Sequence, residues 1–202
     1  MTVKLVGSTS GSVSLQAPAS TTGGAHRVLT LPDADGTLAF GDTGKILQVK
    51  QTAKTDQFTT TSYTFVDVTG MSVSITPSSA SNKILVQVEV LVGGAANNYA
   101  AFKLLRDSTH IGVPTGSGVL GGASRDTTFG PVAHIDSYKL ENAGVTFLDS
   151  PNTTSAVTYK IQASVYDSQQ LSINVPTSVN TSGTTTYTAT GISTITVMEV
   201  AA

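Results

Sequence analysis

Residues 82–93, NKILVQVEVLVG, have the longest unbroken alternation of residue types in the chain. Successive side chains of a β-strand point to opposite faces, so a period of two predicts a strand with one face in a hydrophobic core. The predicted core face consists of Ile84, Val86, Val88, Val90 and Val92. A strand with such a face is not stable alone, and the rest of the chain must supply an opposite layer.

The other face of this strand also carries apolar residues. Leu85 and Leu91 occupy outward positions among polar and charged neighbours. Either these leucines are buried a second time between subunits, which makes Leu85 and Leu91 candidate interface residues, or a loop of the same chain covers them. The sequence leaves both interpretations open.

Further apolar segments with turn residues between them predict more strands. They cover residues 45–52, 63–68, 71–76, 145–150, 155–167, 171–175 and 192–200. Residues 95–106 fit either a helix or a strand, and we favour a strand. Residues 155–167, SAVTYKIQASVYD, alternate almost as well as 82–93, so we expect the two strands to be neighbours in one sheet. Since no segment has a period of 3.6, we predict an all-β fold, an antiparallel β-sandwich or jelly roll, for residues 43–202.

Residues 1–42 differ from the rest of the chain. Short apolar clusters alternate with segments rich in Gly, Ser and Thr, and strands of four or five residues enclose almost no volume. We predict an N-terminal arm that holds its shape only against other copies or a larger particle. The candidate assembly residues are Val13, Leu15, Val28, Leu29, Leu31, Leu38 and Phe40.

The composition argues against several classes of partner. Charged residues make up 12% of the 202 residues, the net charge is −2, and Lys and Arg are not clustered, so we expect no nucleic acid partner. No apolar run has the length of a membrane span, and the first ten residues lack the apolar region of a signal peptide. The chain has no cysteine and therefore no disulfide.

Two short motifs resemble ligand loops without their context. Gly116, Gly118 and Gly121 have the spacing of a dinucleotide-binding loop, but they follow Pro114 and precede no predicted helix. Residues 33–36, DADG, could begin a calcium loop, but Gly44 stands where the twelfth, acidic ligand would be required. We interpret both as loops or turns and expect no cofactor.

Two sets of titratable residues remain as candidate sites. His110 and His134 could contribute to a metal site, above all if a trimer axis brought three copies of one histidine together. Glu89 and Glu199 lie in strands that could be neighbours and could supply a hydrolytic carboxylate pair. Neither set is completed by further ligands or a cleft, and we predict that the protein is not an enzyme.

The two ends of the chain resemble known virion proteins. Residues 7–40, GSTSGSVSLQAPASTTGGAHRVLTLPDADGTLAF, resemble a segment common in virion proteins of tailed bacteriophages, where it precedes a fibre or knob. The stretches FLDSP (147–151), TYKIQASVYD (158–167), SINV (172–175) and GISTITVMEV (191–200) look like the trimeric jelly-roll head of such proteins.

This resemblance implies a homotrimer on the virion surface, assembled in the host cytoplasm. Residues 1–42 would attach to the capsid or tail, through the major capsid protein or a tail or adaptor protein, and residues 43–202 would face outward. A long repeat or coiled-coil shaft is missing, which favours a short surface fibre or a decoration (cement) protein. The alternative is a tail-fibre tip that binds a host receptor or surface glycan through residues 116–130 or 177–186.

Overall fold

The computed structural model describes residues 2–6, 12–16, 44–95, 98–114, 126–134, 137–166, 169–178 and 189–202. For residues 2–6, 12–16, 98 and 131–134 it describes the backbone alone. The chain divides into two units, Met1–Phe40 and Gly41–Ala202.

The first unit contains an antiparallel hairpin. Strand β1 (Thr2–Val6) pairs with strand β2 (Ser12–Gln16), which places Val13 opposite Leu5 and Leu15 opposite Val3. The prediction of short strands in this part of the arm is confirmed. The remaining candidate assembly residues lie outside the described residues: Val28, Leu29, Leu31, Leu38 and Phe40.

The described part of the second unit is formed by strands and loops, and every strand pair in it is antiparallel, which confirms the predicted all-β, sandwich-like class. The strands are β3 (Ile46–Lys54), β4 (Phe58–Thr60), β5 (Val66–Ile75), β6 (Lys83–Gly94), β7 (Asn98–Arg106), β8 (Thr109–Ile111), β9 (Phe129–His134), β10 (Glu141–Asp149), β11 (Val157–Val165), β12 (Leu171–Ile173) and β13 (Ser193–Val200).

The strand predicted from residues 82–93 is β6, the centre of a six-stranded sheet. The strand order is β3-β13-β6-β12-β4, and β10 pairs with the other edge of β6. The outward face of β6 therefore lies in the middle of the sheet. All five predicted core residues of β6 are fully buried: Ile84, Val86, Val88, Val90 and Val92.

The second sheet has five strands in the order β5-β11-β7-β8, with β9 paired to the same edge of β7 as β8. Of residues 95–106, Asn98–Arg106 form strand β7, so the strand favoured over a helix is confirmed there. The alternation in residues 155–167 predicts one buried face, and the apolar residues of that face are all buried in β11: Val157, Tyr159, Ile161, Ala163 and Val165. The core between the sheets includes a stacked pair, Phe102 and Phe129, with ring centroids 4.9 Å apart.

The predicted pairing of these two strong strands is wrong. β6 pairs with β10, β12 and β13, whereas β11 pairs with β5 and β7 in the other sheet. The alternation of apolar residues predicts which face of a strand is buried but carries no information about its hydrogen-bonded neighbour. The two apolar faces belong to opposite layers of the same core.

The segments 63–68 and 71–76, predicted as separate strands, contribute to one strand, β5. Its pairing with β11 shifts register between Lys160 and Gln162, and Gly70 at this irregularity has a φ of +84°. Glycine adopts this left-handed conformation without the cost that a Cβ would add. A bulge therefore allows the strand to continue through a sequence that is typical of a turn.

Candidate interaction surface

Four apolar residues lie side by side across the outer face of the six-stranded sheet. Val49 of β3 pairs with Met198 of β13, Met198 pairs with Leu85 of β6, and Leu85 pairs with Leu148 of β10. Paired residues of antiparallel strands point to the same face, so these four side chains form one row. We refer to Val49, Met198, Leu85 and Leu148 as the apolar row.

The row is exposed to solvent within one chain. Val49 retains 53% of its accessible surface and Leu148 retains 48%, while Leu85 and Met198 are half-buried by their neighbours. Ile46, 50% exposed, extends the apolar surface beyond the row. The outer face of an antiparallel sheet is normally polar, which makes a continuous apolar row across four strands exceptional.

The rest of this outer face carries little charge. Lys83 and Glu89 occupy outward positions of β6, and the neighbouring row consists of uncharged polar residues. In that row Gln51 Nε2 donates a hydrogen bond to Thr196 Oγ1 at 2.8 Å. A low density of charge is typical of the centre of a protein interface.

The two leucines singled out in the sequence differ in their surroundings. Leu85 belongs to the apolar row. Leu91 is half-buried, and its Cδ1 atom fills the position that a side chain on Gly191 would occupy. The segment before β13 therefore covers Leu91 within the same chain.

Glu199 of β13 is buried on the core-facing side of the six-stranded sheet, opposite to the apolar row. Its carboxylate connects β13 to β3 and to the β5–β6 connection. Its Oε1 accepts hydrogen bonds from the amide and hydroxyl of Ser78, each at 2.7 Å, and from Asn82 Nδ2 at 2.6 Å. Its Oε2 accepts one from Gln48 Nε2 at 2.6 Å. Burial alone would raise the pKa of Glu199, but the donors of Asn82, Gln48 and Ser78 outweigh it and lower the pKa to about 2.

A second buried carboxylate, that of Asp149 in β10, links the two sheets. Arg106 Nη1 of β7 donates to Oδ1 and Oδ2 of Asp149 at 3.0 and 2.8 Å, and the Tyr159 hydroxyl of β11 donates to Oδ2 at 2.7 Å. Burial and the hydrogen bond to Asp149 raise the pKa of Tyr159 far above its ordinary value, so the phenol remains a donor. The alternating sequence pattern offered no signal for either cluster, since it predicts burial of apolar residues only.

The structure does not bring Glu89 and Glu199 together. β6 and β13 are neighbours, as the carboxylate-pair hypothesis required, but Thr194 is the residue opposite Glu89, and Glu199 lies opposite Ile84. Glu89 is exposed on the outer face, whereas Glu199 is fully buried and engaged by its donors. The pair hypothesis is therefore wrong in its geometry.

The two histidines lie at different places along β7. His110 in β8 is opposite Leu105, and His134 in β9 is opposite Asn98, so their backbones are about 23 Å apart along the strand. One chain thus does not combine them in one site, and a site on a symmetry axis stays a prediction. Among the described residues, no group of three or more His, Cys, Asp or Glu residues is placed to hold a metal ion.

His110 has a structural contact. The Thr128 hydroxyl donates to the Ile111 carbonyl and accepts from the Leu104 amide, each at 2.9 Å. The single proton of the Thr128 hydroxyl is therefore already donated to Ile111. His110 Nε2 must then act as the donor to Thr128 Oγ1, at 3.0 Å. Burial lowers the pKa of His110, and the charge of Lys103 lowers it further.

The outer face of the five-stranded sheet carries exposed aromatic residues. Tyr99 is 49% exposed and Tyr166 is 51% exposed, and their rings meet edge to face with centroids 6.5 Å apart. The Tyr166 amide donates to the Tyr99 carbonyl at 3.1 Å, which ties the end of β11 to β7. Nearby, Lys103 Nζ lies 4.4 Å from the centroid of the Phe65 ring.

Several predicted loops fall outside the described residues. These include Gly116, Gly118, Gly121, residues 33–36 and most of the proposed receptor loops 116–130 and 177–186. None of the described residues belongs to a helix with the length and hydropathy of a membrane span.

No protein-family model matches the sequence. A search of curated proteins finds no match. Among solved structures, the chain is similar to that of the infectious bursal disease virus Gt strain, with 12% identity and a TM-score of 0.40 over 98% of this chain and 46% of the other. It is also similar to the VP2 subviral particle of that virus, with 14% identity and a TM-score of 0.37 over 94% of this chain and 51% of the other.

A mutant VP2 protein of the same virus in T=1 particles shows 12% identity and a TM-score of 0.41 over 94% of this chain and 46% of the other. The chain spans about half the length of these viral chains. Similarity at this level carries no argument about the function of this chain.

Proposed function

We propose that the protein is a structural component of a tailed-phage virion, a homotrimeric short surface fibre or decoration protein. In this proposal residues 1–42 attach it to the capsid or tail, and residues 43–202 form the outward knob. The resemblance of residues 7–40 to the arm of phage virion proteins supports the proposal. The all-β class of the second unit is consistent with it.

The observation that carries the anchoring role is the hairpin of β1 and β2. It consists of two five-residue strands, and a two-stranded hairpin of this size is marginally stable in water. Such a hairpin needs at least one further strand that completes an apolar face, or a surface to pack against. Other copies of the arm, or a protein of the particle, would supply that surface.

Immunogold labelling of intact particles tests the virion location. Antibodies raised against residues 43–202 should mark discrete, regularly placed positions on the particle surface in electron micrographs. Labelling of the capsid would favour decoration, and labelling of the tail would favour a fibre. Particles that carry no label, while the protein is abundant in the infected lysate, would contradict a structural role.

The exposed tyrosines favour a second function, binding of a host surface glycan. Sugar rings stack on exposed aromatic side chains, and Tyr99 and Tyr166 present two of them on the outer face of the second sheet. Purified protein at saturating concentration should then block phage adsorption, and the Tyr99→Ala, Tyr166→Ala double variant should not. Equal adsorption with and without the wild-type protein would refute this function.

A further inference from the structure

We infer that the apolar row is a subunit contact, buried against a second copy of this chain. The inference rests on the trimer proposed above and deepens it, because it assigns the surface through which the copies meet. The row lies at Val49, Met198, Leu85 and Leu148, each paired with the next across four strands.

The apolar row lies on the outer face of the sheet, where an antiparallel sheet normally carries polar side chains. Two polar positions separate Leu85 from Leu91 in β6. Leu85 is aligned with Met198 and Leu148 on the two adjacent strands, and Met198 is aligned with Val49 on the next strand. Val200, half-buried opposite Ile46, extends the same surface by one position. A contiguous apolar patch of this kind marks an interaction site.

The size of the face suits contact between copies. Four strands span about 19 Å, and the outward residues of β6 from Lys83 to Glu89 span about 20 Å, so the face covers roughly 400 Å² in each copy and roughly 1,200 Å² in the three copies of a trimer. That total lies at the lower end of the area that specific interfaces bury. The low charge of this face also favours contact between copies, because charged residues are rare at the centre of interfaces. At the outward positions of these strands the charged residues are Lys83 and Glu89.

Symmetry favours a copy of the same chain as the partner. Residues close to a rotation axis meet the same residues of the other copies. An apolar row near such an axis therefore contacts apolar rows, and no unlike partner surface is needed. Leu91 takes no part in this contact because Gly191 of its own chain covers it.

Lysine substitutions in the row test the inference. Val49 and Leu148 are about half exposed, so Val49→Lys and Leu148→Lys are compatible with the folded chain. Tyr166→Lys is the matched control, because Tyr166 is equally exposed but lies on the other sheet. Circular dichroism of each full-length variant confirms that it is folded before its mass is measured under native conditions.

The wild type and Tyr166→Lys should have three times the mass of the 20.7 kDa chain. Each row variant should dissociate to single chains, with a dissociation constant raised roughly 100-fold or more, because a lysine charge would be buried without a partner. Row variants that stay trimeric like the control would overturn the inference and leave the proposed function standing. A wild type that is a single chain at every concentration would overturn the inference and the proposed trimer together.

Discussion

At the scale of single residues, Glu199 shows how a buried charge can stabilise the sandwich. Its carboxylate is fully buried, yet four hydrogen bonds satisfy it, one from β3 and three from Ser78 and Asn82 in the β5–β6 connection. An ionised acceptor forms stronger hydrogen bonds than a neutral one. The last strand is thereby fixed to two other parts of the chain.

Replacing this carboxylate should destabilise the fold. Glu199→Gln keeps the size of the side chain but places an amide donor among donors, so the free energy of unfolding should fall by about 2–3 kcal/mol. Denaturant unfolding of the purified variant measures it. Glu89→Gln, on the exposed face of β6, is the control and should change stability by less than about 0.5 kcal/mol. Equal effects of the two substitutions would contradict the role assigned to Glu199.

The same carboxylate should make stability depend on acid pH. The pKa of Glu199 is lowered from 4.5 to about 2 in the folded protein, so the folded state binds its proton less readily than the unfolded chain. Its stabilising contribution is complete above about pH 4.5 and is lost as the pH falls towards 2. The stability difference between wild type and Glu199→Gln should therefore shrink over that range. A difference that stays constant from pH 6 to pH 2 would contradict the lowered pKa.

Tyr159 makes a comparable test of the link between the sheets. Tyr159→Phe removes the hydroxyl that donates to Asp149 and leaves the ring in the core, so it should cost about 1–2 kcal/mol of unfolding free energy. Thermal and denaturant unfolding both report this loss. Tyr166→Phe, at an exposed hydroxyl, should be nearly neutral. A neutral Tyr159→Phe would mean that Arg106 alone satisfies Asp149.

At the scale of elements, the sequence pattern predicted the positions and buried faces of the strands better than it predicted which strands pair with each other. β6 and β11 have the predicted faces buried because a period of two directly encodes which side chains meet the core. Their assignment to one sheet failed because strand pairing depends on loops and register, which the alternation does not encode. The continuity of β5 was missed because of Gly70. A glycine in the sequence indicates a turn as readily as a bulge, and here it lies at a bulge.

One glycine in β10 should be required by the close approach of β6. A Cβ on residue 144 would lie 2.7 Å from the Val88 carbonyl oxygen and 3.0 Å from Glu89 Oε2. Gly144→Ala should therefore force the strands apart and lower the unfolding free energy by about 1–3 kcal/mol, as overpacking does. Thr146→Ala, two residues along the same face, is the control for denaturant unfolding. A stable Gly144→Ala variant would show that β10 can shift at no cost.

At the scale of the whole molecule, the candidate surface was only partly predictable. Leu85 was singled out because it broke the polar pattern of one strand. The other members of the apolar row could not be assigned with it, because they are distant in the sequence. Leu148 lies about 60 positions from Leu85, and the pairs Leu85–Met198 and Met198–Val49 are each separated by more than 100 positions. The carboxylate clusters were missed for the same reason, since their partners come from distant strands.

In the proposed function, residues 1–42 attach the protein to the particle and residues 43–202 form the outward knob. The described hairpin of the arm is too small to be stable by itself, whereas the second unit has its own buried core. Removal of residues 1–42 should therefore leave a folded protein that has lost its attachment to the particle. The expected trimer of residues 43–202 follows from the apolar row, which lies wholly in the second unit.

The most direct test of the virion role is a binding measurement with particles that lack this protein. Full-length protein and residues 43–202 would each be mixed with such particles, and bound protein would be quantified after sedimentation. We predict saturable binding of the full-length protein and at least roughly 100-fold weaker binding of the truncated one, with both folded by circular dichroism. Equal binding of the two, or binding of neither, would contradict anchoring by the arm.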